Sequence, residues 1–382
     1  MTAKISAINS LKDIAADDWN ACAKIDGVAY NPFTSHAFLL ALEQSRSATA
    51  KTGWAAQHLV LEDNHKIVGV APCYLKSHSM GEYVFDHAWA DAYARAGGHY
   101  YPKLQTSIPF TPATGPRLLT NTAEHRAALA QGLIALCQQF QSSSAHITFA
   151  TKQEAEELGA QGWLQRNDIQ FHWHNQGYSN FTNFLGALSS SKRKNIRKER
   201  QAIVDNGISF DLVTGSDLKE DHWDHFYKFY MDTGSRKWGQ PYLTRKFFSL
   251  INETMKNETL LVLAKREGKT IAGALNFIGG DTLYGRNWGC LENHPFLHFE
   301  TCYYQAMDFA IAHGLKSVEA GAQGEHKLAR GYVPEKTYSL HHFAHPGLSR
   351  AVAEYLEHER AAIDENQQVL GEHTPFRHTE QD

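Results

Sequence analysis

Apolar and polar positions along this chain fall into a short series of blocks that is met twice. Residues 37–42, AFLLAL, form a helix-like apolar cluster. The stretch HLVLEDNHKIVGVAP (58–72) reads as two strands around a polar Asp63-Asn64 turn. A long segment, 85–118, rich in Tyr, Pro and Gly, follows neither the helical nor the strand period. Then come a helix near 124–141, a buried-type strand at 145–150, a helix near 153–158 and a strand at 169–174. The second half repeats the order. LLVLAKREGKTIAGALNF (260–277) is again a hairpin with a charged glycine turn, followed by a strand at 282–290, a helix at 300–313 and strands at 317–320 and 338–343. Residues 348–368 predict an amphipathic helix, and a polar tail follows.

The pair VLEDNHKIVGVAP and VLAKREGKTIAGAL is the clearest internal echo. Two copies of one α/β unit are therefore expected, each a mixed twisted sheet flanked by helices. The expected domains are 1–175, 176–345 and a C-terminal helix and tail at 346–382. A length of 382 residues agrees with two cores rather than one.

Charge changes this picture little. The formal net charge of −4 gives no global basic field, so DNA is not an expected partner, and any polyanion must be met locally. Five cysteines without a CxxC pair read as free thiols of a reducing compartment. The N-terminal residues have no apolar core of signal-peptide length, and no apolar run is long enough to span a membrane. A cytoplasmic location is expected, with the oligomeric state left open.

Local chemistry gathers in four places. In SSSKRKNIRKERQAIVDNGI (189–208), six basic residues and one acid lie between Lys192 and Arg200. A helix over 190–206 would dock by Ile196 and Ile203 and display Arg193, Arg197 and Arg200 as a row, with Lys194 further round. Ser190 or Ser191 would cap it and Gly207 end it. Such a row suits phosphate oxygens or tRNA backbone, or it is a solvated charged face. The second place is EAGAQGEHKLARGY (319–332), where a strand would deliver Glu319 to the sheet end and a glycine turn would present Glu325, His326 and Lys327. Glu325 or His326 can take a proton from an amine, while Lys327 or Arg330 can stabilise an oxyanion. A salt-bridged turn is the plain alternative.

The third is the segment 85–103, with aromatics between Asp86 and Lys103, either cleft wall or an ordered flap. The fourth is LYGRNWG (283–289), whose alternation would place Tyr284, Arg286 and Trp288 on one strand face. Metal is not expected: HExxH is absent, and His172-Trp-His174, His298-Phe-Glu300 and His341-His342 lack further ligands at useful spacing. There is no GxSxG elbow for serine hydrolysis.

A hairpin, strand, helix and further strand met twice resembles a tandem GNAT acyltransferase fold. The basic helix, LHFE (297–300), EAGAQGEHKL (319–328) and FTPATGPRLL (110–119) resemble the Fem-like family of peptidoglycan biosynthesis or recognition, over roughly 29–356. The resemblance implies a transferase moving an aminoacyl group from aminoacyl-tRNA, or an acyl group from coenzyme A, to an amine. It implies a phosphorylated or cell-wall-precursor substrate, and its lysine after a glycine-containing turn corresponds to Lys327. Coenzyme A relatives hold pyrophosphate on a glycine-rich loop at a helix N-terminus. The equivalent stretch here, LENHPFLHFE (291–300), has no glycine and carries Glu292 and Glu300, which departs from that pattern. Its first-half counterpart, TPATGPR (111–117), offers Arg117 as a substrate contact. A non-catalytic GNAT-fold binding module is the reading of a different class.

Overall fold

Proline 72 marks where the first hairpin departs from its echo. The computed structural model describes residues 3–238, 240–321 and 324–377, apart from the side chains of Lys237, Trp238 and Glu325. Within it, strands β1 (Lys4–Ile8), β3 (His58–Asp63) and β4 (Lys66–Ala71) form a small antiparallel sheet, order β1-β3-β4. Pro72 has no N–H to donate to a ladder. Beyond it the chain continues as β5 (Cys73–Lys76), which pairs with β2 (Trp54–Ala56) and β6 (Lys103–Thr106) in another sheet. β7 (Ser144–Ala150) follows β6 in that sheet, and β8 (Leu164–His174) carries the chain onward. The second hairpin has no such break. β10 (Thr259–Arg266) and β11 (Lys269–Ile278) stay paired along their length, with β9 (Ile208–Thr214) outside and β12 (Thr282–Cys290) inside. β13 (Ser317–Glu319) and β14 (Val333–Phe343) complete the strands.

Two compact units result: Met1–Ile169 with Lys336–Glu365, and Gln170–Glu335 with Asn366–Asp382. This division differs from the expected 1–175, 176–345 and 346–382. The cause is β14, whose residues from Tyr338 to Phe343 pair antiparallel with β7 and finish the first unit's sheet, β2-β5-β6-β7-β14. The helix Pro346–Glu372 follows, with Leu348, Val352 and Leu356 on one stripe against Phe343 and Trp89, and Glu359 clamping Arg166 at 2.7 Å. In the second unit the order is β8-β13-β12-β11-β10-β9. Its core joins Leu260, Val262 and Leu283 to Phe184, Tyr304 and Met307. β10 is apolar at successive positions because it is buried on both faces.

The segment 85–118, expected to be irregular, holds a helix at His87–Arg95 and the parallel strand β6. Helices Glu220–Trp238 and Arg245–Thr254 occupy a region for which the sequence reading proposes no element. The helix expected at 300–313 is Leu297–Phe299, a π-helical stretch Glu300–Tyr304, and Gln305–Ala312. One extra residue in the turn moves the helix face at Glu300, and such bulges recur at functional positions.

Candidate functional site

In the second unit, β12 and β13 run parallel for three residue pairs only, Thr282↔Ser317, Leu283↔Val318 and Tyr284↔Glu319. β13 then ends, and β12 continues alone on that side to Cys290. A bulge sits where they part: Gly285 pairs with Asn276 and Asn287 with Leu275, so Arg286 is the extra residue. The bulge inverts the strand's alternation. Trp288 therefore packs against the same core as Leu283, and Tyr284, Arg286 and Trp288 do not share one face as expected. The strands approach closely here: a Cβ at Gly285 would stand 3.2 Å from the Glu319 carbonyl oxygen, a tight contact.

The chain leaving β13 turns at Gly321, φ 78°, and returns as a short 3-10 helix, Glu325–Arg330. This brings Lys327 into the core, where it is 1 % exposed. Its Nζ donates to the Gly321 carbonyl at 2.9 Å. Among the described residues it has no carboxylate partner, and two of its three N–H groups have no acceptor. Burial lowers its pKa to about 8, opposed by Cys302 and aided by Arg286. A buried lysine that stays largely ammonium at neutral pH, with unused donors, is suited to meet charge that develops on a substrate oxygen.

Beside it, His326 Nε2 lies 2.8 Å from the Tyr303 hydroxyl. Burial, then Arg330 and Lys327, lower the pKa of His326, which favours the neutral ring. Tyr303 belongs to the π-helical stretch and is a site neighbour that sequence reasoning misses; only its place after the LHFE motif hinted at it. Glu319 ends β13, half-buried, opposite His172 on β8. The Glu325 side chain lies outside the described residues.

Arg330 is not a free cation. It donates to Glu199 at 2.7 and 3.2 Å and to the His326 carbonyl at 2.8 Å, and its guanidinium lies 3.5 Å over the Phe299 ring. Glu199 is the single acid between Lys192 and Arg200, so its isolation among cations was the available signal. Arg200 also leaves the expected row. Its Nη2 donates to Glu300 at 2.9 Å and Asp308 at 2.8 Å, and it stacks on Phe181. Glu300 is accordingly a buried internal partner, 3 % exposed, rather than a contact for substrate.

The rest of the helix Ser190–Asp205 fits the expectation better. Ile196 and Ile203 are buried, Lys194 and Arg197 are exposed, and Gly207 ends the helix at φ 67°. Ser189, not Ser190 or Ser191, is the N-cap residue, without a side-chain bond. Among the described residues Arg193, Lys194 and Arg197 form no ion pair.

In the first unit three expected contacts prove internal. Arg117 is fully buried and gives four hydrogen bonds to carbonyls of Ala113, Gly115, Pro116 and Thr148. Lys103 is fully buried and donates to Ser79 at 2.8 Å, Glu82 at 2.6 Å and Asp86 at 2.5 Å. Burial opposes the Lys103 charge, but the two carboxylates overcome it and raise its pKa. Burial likewise works against the Asp86 carboxylate, and the Lys103 contact holds it below the usual range. These residues hold the segment 79–103 in place and present no charge to a ligand.

A model of the FemAB-like family, described by peptidoglycan biosynthesis/recognition, matches residues 10–378. The chain belongs to this family. Among solved structures, this FemAB-like chain is similar to FemX, at 12% identity, covering 92% of this chain and 100% of that one, TM-score 0.58. L-PGS from Bacillus licheniformis matches at 8% identity over 87% of this chain and 98% of its own, TM-score 0.52. A conserved protein of unknown function from Bacteroides thetaiotaomicron matches at 10% identity over 88% and 99%, TM-score 0.50. At these identities the likeness is one of fold, and the fold is the tandem GNAT-like α/β arrangement. No curated protein matches the chain. Family membership supports a transferase acting in cell-wall metabolism. No helix among the described residues is long and apolar enough to cross a membrane.

Proposed function

We propose that this FemAB-like chain transfers an aminoacyl group from aminoacyl-tRNA to an amine of a cell-wall precursor, with Lys327 as the catalytic residue. The observation that carries this reading is Lys327 itself, buried where β12 and β13 part, with one carbonyl and no carboxylate as partner among the described residues. The acceptor amine attacks the ester carbonyl, and the C–N bond forms as the carbonyl π bond becomes an oxyanion. The Lys327 ammonium donates to that oxyanion. As the C–O bond breaks, the ribose oxygen leaves with a proton from Lys327, and the neutral lysine regains one from the new ammonium. A pKa of about 8 lets Lys327 carry a proton at neutral pH and give it up readily.

Two features favour this donor over acyl-coenzyme A. The loop at 291–296 carries no glycine, and Glu292 faces its cleft where a pyrophosphate would have to sit. Among the described residues the cations Arg193, Lys194 and Arg197 form no ion pair, which suits a phosphate backbone.

The test is transfer from purified aminoacyl-tRNA or acetyl-coenzyme A to peptidoglycan-precursor amines, read by product mass. Aminoacylated product from the tRNA donor, lost in Lys327→Met, is expected. Product from acetyl-coenzyme A alone would assign the acyl-coenzyme A reaction instead, and no product with either would favour a binding module.

A further inference from the structure

The basic helix docks by a face that is not all apolar. Ile196, Glu199, Arg200 and Ile203 follow the i, i+3, i+4, i+7 spacing of one helical stripe, so two charges sit between two buried isoleucines. Arg200 is spent on Glu300 and Asp308. Glu199 is spent on the turn that carries Lys327. Its carboxylate takes Arg330 side-on: Nη2 donates to Oε1 at 2.7 Å and Nε to Oε2 at 3.2 Å. Two parallel bonds of this kind fix orientation as well as distance. The Tyr304 hydroxyl donates to the same Oε2. Both side chains of the pair are largely buried.

Arg330 passes this hold to the turn. Its Nη1 donates to the His326 carbonyl at 2.8 Å, and Phe299 lies under its guanidinium at 3.5 Å. Lys327 lies between these two attachment points in the 3-10 helix Glu325–Arg330. Its own N–H donates to the Gly324 carbonyl at 3.0 Å, and its carbonyl accepts from the Tyr332 N–H at 3.3 Å. A second hold comes from Tyr303, whose hydroxyl lies 2.8 Å from His326 Nε2. Tyr303 and Tyr304 are successive residues of the π-helical stretch, so one irregular segment meets both the turn and the carboxylate that grips it.

A shielded ion pair is a weak source of stability, because desolvation offsets most of its attraction. Apolar side chains would dock the helix as well. What the bidentate pair adds is a defined geometry, and the group whose geometry it defines is the turn of Lys327.

We propose that Glu199 is a positioning residue, clamping the 325–330 turn through Arg330 so that the Lys327 ammonium stays on the Gly321 carbonyl. The clamp is independent of the donor; its consequence for turnover rests on the Lys327 reading above.

The experiment follows Lys327 by carbon-13 NMR of lysine-labelled protein, its ε-carbon signal assigned by its absence in Lys327→Met. Wild-type Lys327 should titrate at about 8, held down by burial and Arg286 against the opposing Cys302. Glu199→Gln keeps the side-chain shape and removes the charge that holds Arg330. Its Lys327 should titrate nearer the ordinary lysine value of about 10.4, as the turn loosens and water reaches the ammonium. A merely structural Glu199 would lower the melting temperature and leave that titration in place. Glu199→Asp, which keeps the charge, should stay closer to wild type. The single-turnover rate of Glu199→Gln should fall roughly 10- to 100-fold at unchanged donor affinity, as for a catalytic group held out of place. Tyr304→Phe removes one bond to Glu199 without leaving a charge unpaired, and should move the titration the same way by less. It carries the test should Glu199→Gln not fold. An unchanged Lys327 titration in the folded variant would overturn the clamp. A raised titration with an unchanged rate would keep the clamp and overturn the catalytic role of Lys327 instead. The titration needs no donor, so it decides the clamp whichever donor the protein takes.

Discussion

The two units part their parallel strands in the same way and finish the opening differently. β6 and β7 pair for three residues, Leu104↔Ala145 to Thr106↔Ile147, as β12 and β13 do in the second unit. In the first unit the chain leaving β6 fills the gap. Ser107, Ile108, Phe110 and Thr111 are buried, the Gly115 amide donates to the Phe149 carbonyl at 3.0 Å, and Arg117 spends its guanidinium on four carbonyls. In the second unit the returning turn supplies Lys327, which among the described residues meets one carbonyl, Gly321, and no carboxylate. A buried cation whose hydrogen bonds go to the protein's own carbonyls is part of a core. One with donors left over is equipped to act on something else. The first opening spends its cation inside the core; the second opening, among the described residues, does not.

The largest effect that would sharpen this contrast is structural. Lys103→Met in the first unit leaves Glu82 and Asp86 buried without their shared cation. Breaking a buried pair in this way costs about 3–5 kcal/mol. Chemical denaturation should show that loss, while turnover per folded molecule stays at the wild-type value. Reduced turnover in the folded fraction would break the comparison by giving the first unit's buried cluster a chemical role.

Next is Lys327→Met. It should lower the single-turnover rate by roughly 10²–10³, about 2.7–4 kcal/mol, as for losing one oxyanion donor. It should not lower stability, because it replaces a buried, carboxylate-free ammonium by an apolar side chain of similar length. A stability loss with unchanged rate would make the 325–330 turn purely structural.

Smaller, and confined to binding, is Arg197→Ala. It should weaken RNA binding by about 1.5–3 kcal/mol, as for one charged hydrogen bond, and reduce the salt slope by about 1. Melting should be unchanged. Arg200→Ala should do the reverse, lowering the melting temperature through loss of its Glu300 and Asp308 contacts. If both substitutions act alike on affinity, the division of the helix into paired and unpaired cations fails.

The smallest effect is a slope in pH. The folded-state pKa of Lys327, about 8, lies below the ordinary lysine value, so between about 8 and 10.4 the unfolded chain binds more protons. Stability should rise with pH across that window, and Lys327→Met should flatten the rise. Over the same range the wild type discharges its own lysine, so its rate advantage over the variant should shrink as pH passes 8. A constant advantage from pH 7 to 10 would mean that the charge of Lys327 is not used.

What the sequence determined by itself was the set of pieces. Continuous apolar runs made β10 and β11, Ile196 and Ile203 set the docking stripe of the basic helix, and Gly207 ended it, because these are local consequences of backbone geometry and burial. Lys327 was legible as a candidate from its glycine turn and its family resemblance. Which charged residues remain free was decided only by tertiary structure. Arg117, Arg200 and Arg330 look like Arg197 in the sequence, and each is claimed by carbonyls or carboxylates, in two cases 100 or more positions away. The face of Trp288 followed from one inserted residue, Arg286, and the placement of 338–343 followed from pairing with β7. An ion pair, a bulge and a strand's neighbour are long-range choices, made by whatever charge, carbonyl or open edge the rest of the fold brings near. Local periodicity carries no record of them.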